Sequence, residues 1–351
     1  MINKIIKKFS KNYSTLSSFQ VLLDVIFNLK ILKVRSKRTN LGNFTYNLKR
    51  VINHSHENVM NNCRIDKSQY TSEKEFYTVA SNILHNYGTL IVNNCFSKKE
   101  IDDFVQTNSD ICPKNYYKSN NLKNYMQKNT KEIPLKSNKF IFDDRIIKIL
   151  EQSSNLINKK QVEPINVRQP STITYFEAKE DNLANNWTAG WHVDFPTQIT
   201  THIILENLKD TDTRMQVIPK SNKLLLVPGK HYILDCAKLK NQILDCFGDK
   251  GTLYIHSGNT LHRNYPVKGT SRYLWCQIYT MDKVFFTIDD HERSQILHDS
   301  ETYFKNLCPK DKERIDYLIN CPKYINKKNN KYFKVVKGNY IPASKSELTY
   351  L

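Results

Sequence analysis

Trp191-His192-Val193-Asp194-Phe195 is the stretch whose reading decides the fold. His192 and Asp194 are one residue apart, so on a β-strand they point to the same face. One imidazole and one carboxylate on one face need a second imidazole to complete a facial set of three metal ligands, with cis positions left open. Taken alone, the pair reads as a surface or hydrogen-bonded couple in a β-protein. The rest of the chain has to supply the missing parts.

Working outward, short alternating apolar segments surround this stretch. They are Ser171–Phe176, Gly190–Asp194, Ile199–Leu205, Met215–Ile218, Gly251–Ile255 and Tyr273–Thr280, with turn signals at Gly229, Gly248, Gly258 and Gly269 between several of them. Many short strands at this spacing suggest a sandwich or barrel such as the eight-stranded jelly roll. Helical patterns flank them. Ser72–Leu84 precedes a strand at Tyr87–Val92, Ser97-Lys98-Lys99-Glu100 reads as a capping box opening a helix through Phe104, and Phe140–Leu156 is helical. Residues 112–135 are rich in Lys, Asn and Tyr and read as loops. Beyond Asp289 the spacing turns helical (Ile296, Phe304, Ile315, Leu318) and ends in a basic tail.

The expected fold is therefore mainly β with flanking helices (α+β), with a double-stranded β-helix or jelly-roll (cupin-like) core. The expected divisions are a basic amphipathic helical segment and linker over 1–70, the β-core over 71–288, and a helical basic extension over 289–351.

The formal charge of +19 sits mostly at the ends of the 351-residue chain. Residues 1–50 carry eleven Lys/Arg against the single acid Asp24, and Lys323, Lys327, Lys328, Lys331, Lys334 and Lys337 form an acid-free block. Basic ends on a balanced body suggest contact with an anionic surface; solvated tails are the competing reading. Phe19–Val34 is apolar, with Gln20, Asp24 and Asn28 on one helix face. At sixteen residues it is too short and polar to span a bilayer, and reads as an amphipathic helix that lies on a membrane or packs on the core. Residues 35–70 read as linker. The eight cysteines include no Cys-x-x-Cys pair, a pattern of free thiols in a reducing compartment. With no secretory signal in the first residues, the expected location is cytoplasmic, with peripheral membrane contact through residues 1–50. The twenty tyrosines are scattered without the spacing of a base-stacking sheet, which argues against nucleic acid.

The second imidazole is His262, in Gly251-Thr-Leu-Tyr-Ile-His-Ser-Gly-Asn-Thr-Leu-His262. A strand from Gly251 and a tight turn at Ser257-Gly258 deliver His262 to the start of the next strand. Ten residues on stands Arg272, in Ser271-Arg272-Tyr273-Leu274-Trp275. A buried arginine is costly unless it meets an anion, and its planar fork suits a carboxylate. Beside an iron site it has a chemical use: holding the distal carboxylate of 2-oxoglutarate while the keto acid end chelates the metal. His231, His256, His291 and His298 have no such company and read as non-ligands.

Together these residues resemble the phytanoyl-CoA dioxygenase family of Fe(II)/2-oxoglutarate oxygenases. Trp191-His192-Val193-Asp194, Gly251 to His262 and Arg272 match its motif in order and spacing. Gly88-Thr89-Leu90-Ile91-Val92 followed by Ser97-Lys98-Lys99-Glu100 is similar to its opening, and the likeness spans about residues 75–285. The resemblance implies Fe(II) on His192, Asp194 and His262, and 2-oxoglutarate and O2 as cosubstrates, with Arg272 on the far carboxylate. It also implies hydroxylation of a C–H bond with release of succinate and CO2. It further points to His202 and Thr174 as cosubstrate contacts, against an ordinary strand role for each. Asp194 is the carboxylate that halogenating relatives lack, so hydroxylation is favoured over halogenation.

The chain departs from the pattern in two places. Met215-Gln-Val-Ile-Pro219-Lys-Ser221-Asn-Lys223 lacks a Gly and a His of the family turn, and Thr252 stands where an Asp commonly follows Gly251. Two other classes stay open: a zinc hydrolase or isomerase on the same ligands, and a non-catalytic basic module binding membrane or nucleic acid. The expected substrate is a small molecule, a lipid or a saccharide-linked compound.

Overall fold

In the computed structural model the described residues are 40–41, 59–111, 126–157, 165–167, 171–178, 190–194, 198–223, 231–232, 242–280, 307–320, 324–326, 331–336 and 339–342. The amphipathic helix expected before residue 35 lies outside them, as do His291, His298 and most of the basic ends.

The chain begins with β1 (Asn40–Leu41), a single helical turn α1 (Val59–Asn62), β2 (Arg64–Asp66), α2 (Glu73–Tyr87), β3 (Thr89–Asn93) and α3 (Lys98–Thr107). Ser72 caps α2 by accepting from the Glu75 N–H, and Glu73 and Glu75 place negative charge in its first turn. The expected capping box opens α3: Glu100 N–H donates to Ser97 Oγ at 3.2 Å, and Ser97 N–H donates to Glu100 Oε2 at 2.7 Å. There follow β4 (Met126–Glu132), α4 (Asp144–Ile157), β5 (Asn166–Val167), β6 (Thr172–Ala178), β7 (Trp191–His192), β8 (Gln198–Ile204) and β9 (Arg214–Val217). The core closes with β10 (His231–Tyr232), β11 (Leu244–Cys246), β12 (Leu253–Ser257), β13 (His262–Tyr265) and β14 (Ser271–Thr280).

These strands form two sheets. The larger runs β2-β3-β12-β8-β14-β6-β4, with β5 also on β14; the smaller runs β1-β10-β7-β13-β9-β11. Pairing is antiparallel except for β2 with β3 and β1 with β10. Alternation sorts the larger sheet's side chains onto two faces. Ile199, Ile203, Leu253, Ile255, Trp275 and Tyr279 face the helices and join Phe76, Phe104, Ile147 and Leu150 in the main core. The opposite face meets the smaller sheet, where Ile91 and Tyr254 pack with Met215, Val217, Leu244 and Cys246. β8 sits between the layers, and all seven of its residues are buried. Covered on both faces, a central strand loses polar alternation.

Three expectations are corrected. Residues 126–132, read as loop, form β4, which pairs with β6 along its whole length at the sheet's edge. Its sequence Met-Gln-Lys-Asn-Thr-Lys-Glu has no apolar alternation, because an edge strand carrying lysines needs none. Residues 64–66, read as linker, form β2 beside β3, so the larger sheet begins ahead of residue 71.

The C-terminal part is not wholly helical. After α5 (Pro309–Asn320), the strands β15 (Tyr324–Asn326), β16 (Lys331–Val336) and β17 (Asn339–Pro342) make an antiparallel sheet. β16 reads Lys-Tyr-Phe-Lys-Val-Val, whose aromatic and β-branched residues fit a pleated surface. α5 itself docks on the main core through Ile315 and an Arg314–Glu151 ion pair of 2.7 Å. No helix among the described residues is long and apolar enough to cross a membrane.

Gly251 shows how the turn before β12 is built. It has φ +92°, and an added Cβ would overlap the Phe96 carbonyl oxygen, whose own N–H donates to Gly251 O at 3.0 Å. Gly251→Ala is expected to cost roughly 2–4 kcal/mol from left-handed strain plus the backbone clash. Urea unfolding checks this; an unchanged midpoint would mean that the turn relaxes freely.

Candidate metal centre

The strand β7 ends at His192, two residues short of Asp194. Val193 and Asp194 lie beyond the strand. The Asp194 N–H then donates to Gly258 O at 2.6 Å, in the turn between β12 and β13. This bond swings the carboxylate toward β13, where His262 is the direct register partner of His192. One nitrogen from each imidazole and one oxygen of Asp194 lie within 4.8 Å of one another, a spacing that one ion can satisfy. His262 Nε2 stands 3.7 Å from Asp194 Oδ2, and the two imidazole centroids are 4.3 Å apart.

The tautomers follow from the backbone. His192 Nδ1 lies 2.7 Å from Gly190 O, and His262 Nδ1 lies 2.8 Å from Thr260 O. A carbonyl only accepts, so each Nδ1 carries the proton and each Nε2 presents a lone pair to the metal position. Both rings are buried, with His192 6% and His262 4% exposed. Asp194 is held in turn by Gln198, which donates from Nε2 to Oδ2 at 2.8 Å and to Thr200 Oγ1 at 3.2 Å. Nothing in the sequence marks Gln198, since its role depends on the fold bringing its amide to Asp194. Gln198→Leu is expected to weaken metal affinity about 10–100-fold, the usual effect of losing a group that orients a ligand. Anaerobic metal titration measures it; an unchanged affinity would show that Asp194 needs no such support.

Arg272 starts on the inward face of β14 and is 7% exposed. Its Nη2 donates to Asn264 Oδ1, on β13 two residues beyond His262, and its guanidinium lies 4.9 Å from the Phe176 ring. Two residues of strand place Asn264 about 7 Å along from the ligand histidine. Nε and Nη1 of Arg272 are buried without a partner. Burial pulls its pKa down to about 10, and the groups acting on its charge are Cys246, Cys276 and Tyr254, with no carboxylate among them. A desolvated, unneutralised cation costs several kcal/mol, a cost that a bound anion would offset.

His202 and Thr174 also face inward. His202 is 9% exposed and stacks on Tyr254 at 5.5 Å, and Thr174 is 8% exposed opposite Leu274. Neither belongs to the three-residue metal cluster. His256, read as lacking company, in fact stands at the centre: it is 1% exposed, with its ring 4.4 Å from that of His262. Burial, reinforced by the three neighbouring histidines, holds its pKa well below the usual imidazole range. Leaving a polar group buried and unmatched costs on the order of 1–3 kcal/mol, and both nitrogens of His256 are in that state. Its sequence signal was only its parity with Tyr254 on β12.

No family model matches the chain, and no curated protein matches it. Among solved structures it is similar to EctD from S. alaskensis in its apo form, with 16% identity and a TM-score of 0.42 over 60% of this chain and 76% of that one. It is also similar to the epimerase SnoN, crystallised with Fe3+, alpha-ketoglutarate and nogalamycin RO. There the identity is 12% and the TM-score 0.43, over 60% of this chain and 86% of that one. A third is the non-heme monooxygenase ThoJ, with 13% identity and a TM-score of 0.42 over 57% and 76% of the two chains.

Proposed function

We propose that the chain is a non-haem Fe(II)- and 2-oxoglutarate-dependent dioxygenase on a double-stranded β-helix core. It would hydroxylate a C–H bond of a small-molecule, lipid or saccharide-linked substrate. The observation that carries this reading is the buried, unpaired Arg272 bonded to Asn264, two residues beyond His262 on the same strand face.

Charge supports it. A divalent ion on Asp194 and two neutral imidazoles leaves one net positive charge, and Arg272 adds another. A dicarboxylate dianion neutralises both. Arg272 would hold one carboxylate on its guanidinium fork, and His192, Asp194 and His262 would hold the metal that the keto acid end needs. The donor set also fits: two imidazoles and one carboxylate clustered within 4.8 Å suit Fe(II) with open positions. When bound, iron, 2-oxoglutarate and O2 supply the oxidising chemistry, with succinate and CO2 released.

The chain's own part is positional. His192 and His262 are fixed in one tautomer, and Gln198 orients Asp194. The eleven Lys/Arg of residues 1–50 support a further proposal, peripheral contact with an anionic membrane surface.

The test is succinate formation from 2-oxoglutarate by anaerobically purified protein given Fe(II) and O2, screened across lipid, saccharide and amino-acid substrates. Tight zinc binding with no 2-oxoglutarate turnover under any condition would overturn the reading in favour of hydrolysis or isomerisation.

A further inference from the structure

The interior wall facing His262 contains a group that the proposed site leaves unused. His256 on β12 is sealed at 1% exposure and stacks against Tyr254 at 5.3 Å and 17°, and against His202 at 6.0 Å and 14°. It stands 4.4 Å from the ring of His262, yet it is outside the cluster of three ligand atoms. The contrast with the ligand histidines is chemical. His192 and His262 each engage Nδ1 with a carbonyl, whereas neither buried nitrogen of His256 makes a hydrogen bond among the described residues. A neutral imidazole always carries one N–H donor and one bare acceptor.

Register locates the missing partner. His256 pairs with Thr200 on β8, while Tyr254 pairs with His202, which pairs in turn with Cys276 on β14. Arg272 lies four residues further along β14. A ligand reaching from Arg272 to the metal therefore passes the Tyr254–His202 layer first and meets His256 at its metal end. The atoms it presents there are oxygens that accept.

We propose that a ring N–H of His256 donates a hydrogen bond to an oxygen at the α-keto acid end of bound 2-oxoglutarate, making His256 a positioning residue for that cosubstrate. The inference rests on the 2-oxoglutarate reading above and adds a polar anchor opposite Arg272. The stack of Tyr254 and His202 holds the ring plane in place.

The experiment separates metal binding from cosubstrate binding. Metal affinity is measured first, by anaerobic Fe(II) titration. The visible charge-transfer absorption that develops when 2-oxoglutarate is added to the Fe(II)-loaded protein then gives its Kd. His256→Phe keeps the ring and the stack but removes both nitrogens, and His256→Asn keeps an amide donor. The expected result is unchanged metal affinity in both variants, with the 2-oxoglutarate Kd raised about ten- to a hundredfold in His256→Phe and less in His256→Asn. In turnover, KM for 2-oxoglutarate should rise while kcat at saturation stays near wild type.

A Kd for His256→Phe within twofold of wild type overturns the proposal. Parallel loss of metal affinity in both variants also overturns it, in favour of a purely structural role. If wild-type protein itself shows no absorption change with 2-oxoglutarate, the cosubstrate reading has failed, and this inference falls with it. Should His256→Phe not fold, wild-type protein decides alone. In a zinc-loaded, histidine-labelled sample, 2-oxoglutarate should slow the exchange of one further imidazole N–H, and its absence overturns the proposal.

Discussion

Arg272→Met is expected to weaken 2-oxoglutarate binding by about a hundredfold or more while leaving the unliganded protein as stable as before or slightly more so. The two effects have opposite causes. The guanidinium is desolvated at 7% exposure, and its Nε and Nη1 are unpaired, so the unliganded fold carries an uncompensated charge. Methionine fills similar volume without that charge. Apolar replacements of buried charged groups range from neutral to about 3 kcal/mol stabilising. Against this stand the lost bond to Asn264 and the lost contact with the Phe176 ring, about 1 kcal/mol each.

Ligand binding has no such offset. Two charge-assisted bonds of about 1.5–3 kcal/mol each correspond to roughly a hundred- to ten-thousandfold in Kd. Thermal unfolding reads both effects in one experiment. Wild-type protein at a hundred times its Kd gains about 2.7 kcal/mol from 2-oxoglutarate, and the variant at the same concentration should gain at most about 0.4 kcal/mol. Arg272→Lys should fall between, since it keeps the charge but loses the fork. Undiminished 2-oxoglutarate binding in Arg272→Met would remove the clamp from the mechanism.

Asp194→Ala and His262→Ala are expected to lower metal affinity by more than about a hundredfold, beyond the range typical of groups that only orient a ligand, and to eliminate succinate formation. Both variants should stay folded. The bond that places residue 194 comes from its backbone N–H to Gly258 O, and alanine preserves it. Circular dichroism and thermal unfolding near wild type, together with lost metal uptake, make the expected pattern. Full activity in either variant would show that the cluster is not the reaction centre.

How much of this was legible in the sequence differs from residue to residue. The Ser97/Glu100 box is local chemistry, readable because both partners lie within one helical turn. β12, the turn at Ser257-Gly258 and the start of β13 at His262 follow from alternation and glycine placement alone. β4 was illegible because an edge strand draws its order from β6 rather than from an apolar pattern of its own. The C-terminal sheet was missed because apolar spacing in α5 was extended past its end. Gln198 had no signal, since its amide acts on Asp194 only once the fold brings the two together.

By itself, the sequence determined the order and spacing of His192, Asp194, His262 and Arg272 and the alternating strands that carry them. These are short-range properties of side-chain type and period. Only the tertiary structure decided that a segment beyond the end of β7, and not an unbroken strand, brings Asp194 to the two imidazoles. It also decided that Arg272 has no acidic partner among the described residues and that the His256 ring lies beside His262 with both nitrogens unmet. The physical reason is that solvation and pairing are set when two sheets close on each other, between residues far apart in the chain.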